Sequence, residues 1–337
     1  MGRVVLLADE RFLDHDTGRG HPERPARVPA LLRGIERAGL SEALLYEAPR
    51  SATLAELGLV HDEAYLEALE QFCESGGGGI DPDTFVVPAS WNAALLAAGA
   101  GLRAVELLDE GRADAAFCAV RPPGHHALAG RSMGFCLLNN VAVTAKMLTA
   151  RGERVLIVDW DAHHGNGTQH IFYGEDRVLF VSLHQYPFWP GTGAAGETGD
   201  GAGAGLTINV PFPNSTGGDA YRAAIDDLVV PAAERFRPTW VLLSAGFDGH
   251  RADPLTDLGL TAGDYVDLTS RVVDLVEPGR RIAFLEGGYD LDALALSGAA
   301  CVGALAGEVA RPERVSTGVV GLDIVQLIRN GHPYLFS

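Results

Sequence analysis

The stretch VLIVDWDAHHGNGTQ, residues 155–169, decides the fold. It opens as an unbroken apolar, β-branched run and closes on Asp159, Asp161, His163 and His164. A run that is apolar on both faces is a strand covered on both faces, the habit of a parallel sheet. The acidic groups at its end are the anomaly. A buried carboxylate is strongly unfavourable unless it is paired, hydrogen-bonded or bound to a metal. Because side chains alternate along a strand, Asp159, Asp161 and His163 share one side, while Trp160 and Ala162 point to the other.

Six further segments read as strands of the same kind. They are RVVLLA from 3, DAAFCAV from 114, VLFVSLH from 178, LTINVPF from 206, WVLLSAGFD from 240 and RIAFLEGGYD from 281. Between them, segments such as SWNAALLAAGAGLRAVELLDEG, GDAYRAAIDDLVVPAAERF and TAGDYVDLTSRVVDLV carry apolar residues at helical spacing. Alternating strands and helices imply an α/β fold: three layers, a mostly parallel sheet with helices on both faces. No linker or repeat divides the 337 residues, so a single domain over 1–337 is expected.

Composition narrows the function. A formal charge of −18 without a Lys/Arg cluster argues against nucleic-acid binding. No run approaches the ~20 apolar residues of a membrane span, and the N-terminal MGRVVLLADERF is too short in apolar character for a signal peptide. Cys73, Cys118, Cys136 and Cys301 lack a CxxC spacing, which suggests free thiols in a reducing compartment. A cytoplasmic protein is expected, with self-association left open.

In doubly wound folds, ligands bind beyond the carboxyl ends of the strands. The unusual polar residues of this chain gather at those ends. His125 and His126 follow the strand ending at Val120; Asp248 and Asp253 follow WVLLSAGF; Glu286 and Tyr289 follow RIAFL. Asp161 and His163, joined by Asp253 of the ADP step, make two carboxylates and one imidazole. Three protein ligands leave a position for water, the pattern of a catalytic zinc site. RPPGHHA, residues 121–127, sets two histidines on a stiff turn, where a neutral imidazole accepts a proton near neutral pH. Asp159 and Asn166 are candidate partners behind them, and Tyr289 is a candidate donor to a developing oxyanion.

Two motifs are read more plainly. GRSMG, residues 130–134, matches the nucleophile pattern of serine hydrolases, but Ser132 lies well beyond Val120 rather than on the turn between strand and helix. The glycine-rich residues 191–205 and GGGG at 76–79 read as flexible loops, since no GxxxxGK[ST] phosphate cradle is present.

Taken together, RPPGHHA, GFCLLNN, VDWDAHHGNGTQ, SLHQYPFWPGTG, SAGFDGHRADPL and LEGGYD resemble the histone deacetylase and acetylpolyamine amidohydrolase superfamily, which has an arginase-like α/β fold. The similarity runs from HPERPARV to the helix after Tyr289, and Asn166 places it nearest the class II branch, with an Ala/Gly-rich composition that reads as bacterial. The resemblance implies a metal-dependent deacetylase, with Asp161, His163 and Asp253 matching ligands of zinc, ferrous iron being the other candidate. It gives His126 as general base and acid, His125 as its electrostatic partner, Tyr289 as oxyanion donor, and Asp159 and Asn166 behind the two histidines. Gly134, Phe135 and Trp189 match the walls of an acyl-lysine tunnel, and Leu260, Asp83 and His21 its rim. A potassium site at Asp159, Asp161, His163, Ser182 and Leu183 is also implied. The substrate is then an acetylated lysine-like amine, with a small acetylated amine or acetylpolyamine as the alternative and a non-catalytic acyl-binding module as a further rival.

Overall fold

The strand-like runs come together in one sheet of the computed structural model, which describes residues 2–336. In chain order the strands are β1 Val4–Leu7, β2 Leu44–Glu47, β3 Gly78–Gly79, β4 Phe85–Val86, β5 Ala115–Cys118, β6 Val155–Asp159, β7 Val178–Gln185, β8 Thr207–Phe212, β9 Trp240–Ala245 and β10 Arg281–Leu285. Eight of them form a sheet of order β2-β1-β5-β10-β9-β6-β7-β8, and every neighbouring pair is parallel. All seven expected strands are present.

Alternation along the strands builds two apolar layers. Val4, Leu6, Leu156 and Val158 face one core, packed by helices Arg27–Arg37, Ala262–Val273 and Leu291–Leu305. Val5, Leu7, Val155 and Ile157 face the other, packed by helices Ser90–Asp109 and Asn140–Ala150. The three-layer arrangement follows directly from strands whose residues are buried on both faces.

Three local differences from the sequence reading have physical causes. β2 has only partly buried residues and an exposed Tyr46, so an edge strand of this kind lacks the continuous apolar signature. The helix read over 218–236 contains a π turn at Ile225–Val229 just before Pro231, whose ring has no N–H and crowds the carbonyl one turn back. GGGG is not simply a loop: Gly78 and Gly79 pair antiparallel with Val86 and Phe85, forming a hairpin that carries Asp83 and Thr84.

Beneath the carboxyl edge of the sheet lies a buried ion cluster. Glu23 accepts from Arg121 Nη2 at 2.7 Å and from Arg27 Nη1 at 3.1 Å, and all three side chains are fully buried. Burial alone would raise the Glu23 carboxyl, but Arg121 and Arg27 outweigh it and hold it at about 2, below the ordinary 4.5. A depressed carboxylate contributes stability that is present above its unfolded pKa and is lost as pH falls toward the folded value. Glu23→Gln is expected to lower stability by roughly 3 kcal/mol near neutrality, since one pKa unit is worth ~1.4 kcal/mol. In urea unfolding, the gap between wild type and variant should close between about pH 4.5 and about pH 2; a gap independent of pH would contradict the assignment.

Candidate active site

Five adjacent strands of the sheet, β5, β10, β9, β6 and β7, deliver polar residues to one edge. From the end of β6 come Asp159 and Asp161, with His163 next; from the end of β9 comes Asp248. His163 Nδ1 lies 3.1 Å from Asp161 Oδ1 and 2.9 Å from Asp248 Oδ2. Asp161, His163 and Asp248 each offer a donor atom within 4.8 Å of the others. Two oxygens and one imidazole nitrogen in a buried cluster fit a divalent cation of the zinc or ferrous type.

The sequence reading also places Asp253, a few residues beyond Asp248 on the same loop, among the ligands. Asp253 Oδ2 accepts the backbone N–H groups of Tyr289 at 2.7 Å and Asp290 at 3.3 Å, and Oδ1 accepts that of Leu255 at 3.0 Å. These contacts brace the loop that bears Tyr289 and, like those Asp161 accepts from the His163 and Gly287 N–H groups, leave lone pairs for a cation.

Burial and Asp161 push the Asp248 carboxyl up to about 6. Burial would push His163 down, but Asp161 and Asp248 outweigh it and raise it to about 10. The cluster thus carries more negative charge than its surroundings neutralise, which is the electrostatic demand a cation meets. Backbone also approaches closely: a Cβ on Gly287 would lie 2.3 Å from Asp248 Oδ2 and 2.5 Å from Asp161 Oδ2.

The two histidines of RPPGHHA stand beside this cluster with unlike partners. His125 Nδ1 lies 2.9 Å from Asp159 Oδ2, and His126 Nδ1 lies 2.8 Å from Asn166 Oδ1. Burial would lower His125, but Asp159, Asp161 and Glu286 outweigh it and raise it to about 10. Burial and then the charge on His125 push His126 well below its ordinary value. Asn166 opens a short helix, Asn166–Phe172, that the sequence reading did not separate from its glycine-rich surroundings.

A cavity of about 240 Å³ opens over these groups. His126, His163 and Tyr289 line its floor; Gly134, Phe135, Phe188 and Trp189 its walls; Pro22, Asp83 and Leu255 the remainder. Trp189 packs edge-on to His126 at 4.7 Å, and Phe135 edge-on to Tyr289 at 5.7 Å. Gly134 has φ +57°, and a Cβ there would lie 2.4 Å from Trp189 Cη2 and 2.6 Å from His126 Cδ2. The wall therefore requires glycine at that position.

The rim expectations divide. Asp83 lines the cavity, whereas His21 does not: it packs edge-on to Phe135 at 4.8 Å and faces the Asp83 carbonyl at 3.0 Å, bracing the wall from behind. Leu260 is fully buried and bridged to His250 and does not line this cavity, whereas Leu255 does. Pro22, Phe188 and Leu255 were missed because loops of unknown path decide them. Of the residues read as a potassium site, Asp159 and Ser182 are register partners at the ends of β6 and β7. The Leu183 carbonyl accepts from Tyr221 at 3.4 Å. The glycine-rich 191–205 segment is tied down at Glu197, whose carboxylate accepts from Gln169 at 2.6 Å and from the Ala194 N–H at 3.1 Å. A larger surface cavity of about 620 Å³, between helices Arg27–Arg37 and Leu291–Leu305, is lined by no histidine, tyrosine or cysteine.

A family model described as the histone deacetylase domain matches residues 21–305. The chain belongs to the histone deacetylase family. Its relatives in that family include a protein named "Probable deacetylase" from Archaeoglobus fulgidus, 42% identical over 90% of this chain and 86% of its own. The histone deacetylase-like amidohydrolase of Pseudomonas aeruginosa is 38% identical over 86% of this chain and 77% of its own. The solved HDA15 HD domain superposes with a TM-score of 0.91 at 38% identity, covering 97% of this chain and 93% of that one. The histone deacetylase fold and a hydrolytic deacetylase activity follow from this kinship.

Metal uptake tests the place of Asp253 among the ligands. Asp253→Asn is expected to lose divalent-ion affinity by more than the ~10–100-fold typical of residues that only orient ligands. Zinc titration followed by calorimetry reads the loss, and a smaller one would leave Asp253 with the loop-bracing role alone.

Proposed function

We propose that this deacetylase is a zinc-dependent amidohydrolase that removes an acetyl or related acyl group from the amine of acyl-lysine-like substrates and releases acetate. The supporting observation is convergence: His126, His163 and Tyr289 line one narrow, aromatic-walled cavity, with Asp161 and Asp248 grouped about His163. An alkyl stem passing Phe135 and Trp189, which both line the cavity, would bring the acyl amide to His126, His163 and Tyr289. We read residues 1–337 as one deacetylase unit, working in a reducing cytoplasmic setting; four buried free cysteines accord with that, and no described helix is long and apolar enough to cross a membrane.

Asp161, His163 and Asp253, with Asp248 against His163, are the residues that would hold a zinc ion, and zinc there would supply carbonyl polarisation and lower the pKa of a bound water from ~16 toward ~7. The chain's own residues do the remainder. His126 donates Nδ1–H to the Asn166 oxygen, which leaves Nε2 free to take the proton of the attacking water. His125, protonated against Asp159, holds positive charge beside the developing oxyanion. Burial, with Asp248 nearby, keeps the Tyr289 phenol protonated as a hydrogen-bond donor to that oxyanion. His126 then passes its proton to the departing amine. Phe135 and Trp189 exclude water from the stem. A potassium ion near Asp159, Asp161, His163, Ser182 and Leu183 would stiffen the base of the same strand ends.

A second reading has one observation in its favour: Asp83 lines the cavity of a chain carrying −18, which suits a cationic acetylated polyamine. Apolar Leu255 beside it favours the acyl-lysine reading. Kinetics with acetyl-lysine peptides and acetylated diamines side by side should give the higher kcat/KM for the peptides, and the reverse order would select the polyamine.

Tyr289→Phe is expected to lower kcat by ~10²–10³-fold, the cost of one oxyanion donor, with metal content unchanged. Unaltered turnover would remove Tyr289 from the reaction.

A further inference from the structure

Glu286 is fully buried at the carboxyl end of β10, shortly before Tyr289, and the chemistry above leaves it without a role. Its carboxylate does not line the substrate cavity. Oε2 instead accepts the backbone N–H of Gly124 at 2.7 Å and of His125 at 3.2 Å, and Oε1 accepts the Ser244 hydroxyl of β9 at 3.3 Å. The main chain of the same residue donates to the Ala245 carbonyl at 3.2 Å, and its own carbonyl accepts from Arg27 Nη2. Arg27 Nε also reaches the Gly288 carbonyl at 2.7 Å, and the guanidinium lies 5.0 Å over the Tyr289 ring. One residue thus joins the ends of β5, β9 and β10.

The N–H groups it accepts have a particular need for it. Pro122 and Pro123 carry no N–H, so Gly124 and His125 bear the first donors of the turn that presents the two histidines. The turn is packed tightly: a Cβ on Gly124 would lie 2.5 Å from the Asn140 nitrogen. Buried N–H groups require an acceptor, and here it is a side chain from the loop that carries Tyr289.

Donor atoms of His125, Cys136 and Glu286 also lie within 4.8 Å of one another, which raises a metal site as the rival reading. Burial, with Glu286 nearby, pushes the Cys136 thiol well above its ordinary value, and both Glu286 oxygens are already engaged. The cluster is better described as a joint than as a cage.

We propose that Glu286 is a positioning residue: by accepting the N–H groups of Gly124 and His125, it sets the spacing between the histidine turn and the Tyr289 loop. The inference rests on the deacetylase reading of those residues. It requires an acceptor oxygen at that place rather than a negative charge, and burial accordingly pushes the carboxyl up to about 7. Glutamine has the same shape and retains one oxygen for the two N–H groups, with its amide turned to Ser244.

The test compares Glu286→Gln and Glu286→Ala in the full chain by kinetics on an acetyl-lysine peptide, metal content, and amide hydrogen exchange at Gly124 and His125. Glu286→Ala should lower kcat about 10²-fold with KM within about 3-fold, as for a small misplacement of reacting groups. Its metal content should be unchanged and exchange at the two amides accelerated. Glu286→Gln should restore protection and bring kcat within about 5-fold of wild type. The proposal is overturned if Glu286→Ala keeps wild-type kcat, if Glu286→Gln is as impaired as Glu286→Ala, or if the loss merely tracks lost metal or lost fold. Where Glu286→Ala does not fold, Glu286→Gln decides: a folded, metal-loaded protein with kcat below about a tenth of wild type refutes the role. An inert wild type would sink the deacetylase reading instead, and exchange would still judge the joint, with unaltered protection in Glu286→Ala counting against it.

Discussion

Asp161 and Asp248 repel one another across a buried site, and the surrounding structure is arranged to hold them there. Each is partly satisfied by backbone: Asp161 Oδ1 accepts the His163 N–H at 2.9 Å and Oδ2 that of Gly287 at 2.7 Å, while Asp248 Oδ1 accepts that of Ala162 at 2.9 Å. Those bonds fix the carboxylates in orientation without neutralising them. The remaining lone pairs converge with His163 Nδ1, as buried like charges do only where a cation or a proton is expected. Gly287 makes the arrangement sterically feasible, because any side chain there would occupy the space of both carboxylates.

A site of this kind needs groups far apart in sequence to arrive in register, and the topology provides it. The sheet order places β10 between β5 and β9, so the last central strand in the chain inserts beside much earlier ones. Asp248, the histidine pair and Tyr289 thereby emerge from neighbouring strand ends. Parallel pairing aligns those ends, but it does not fix the loops that follow them. That task falls to buried polar contacts: Arg27 holds the Glu286 and Gly288 carbonyls, Glu23 holds Arg27 and Arg121, and Asp253 holds the N–H groups of Tyr289 and Asp290. These ion pairs lie where desolvation is severe, so removing one partner would leave an uncompensated charge.

Strand cores were legible in the sequence because period and burial act locally. All seven apolar runs became strands, and the alternation around Trp160 and Ala162 placed both in one core, opposite the acidic residues. Loop residues were not legible in the same way. FDGHRADPL offers Asp248 and Asp253 at one strand end, and nothing in local spacing says which carboxylate turns toward His163 and which caps backbone. The family resemblance led to Leu260 as a rim residue, whereas Leu255 lines the cavity and Leu260 is buried in the core. Glu286 was seen as an ionisable strand end, but its partners, Gly124 and His125, are backbone groups that side-chain patterns do not reveal.

The two histidines illustrate how partners, rather than position, divide chemical labour. Rings whose centroids lie 3.9 Å apart cannot both carry charge cheaply, so whichever is better paired keeps the proton. Asp159 is a carboxylate and stabilises an imidazolium at His125; Asn166 is an amide and orients His126 without adding charge. His125 therefore stays cationic and further disfavours protonation of His126. An imidazole that is neutral at rest, fixed in one tautomer and placed over a metal-type donor cluster is poised to accept a proton only as negative charge develops before it. On the deacetylase reading, that charge is the oxyanion, and the same rise in negative potential that draws the proton onto His126 makes its later transfer to the amine productive.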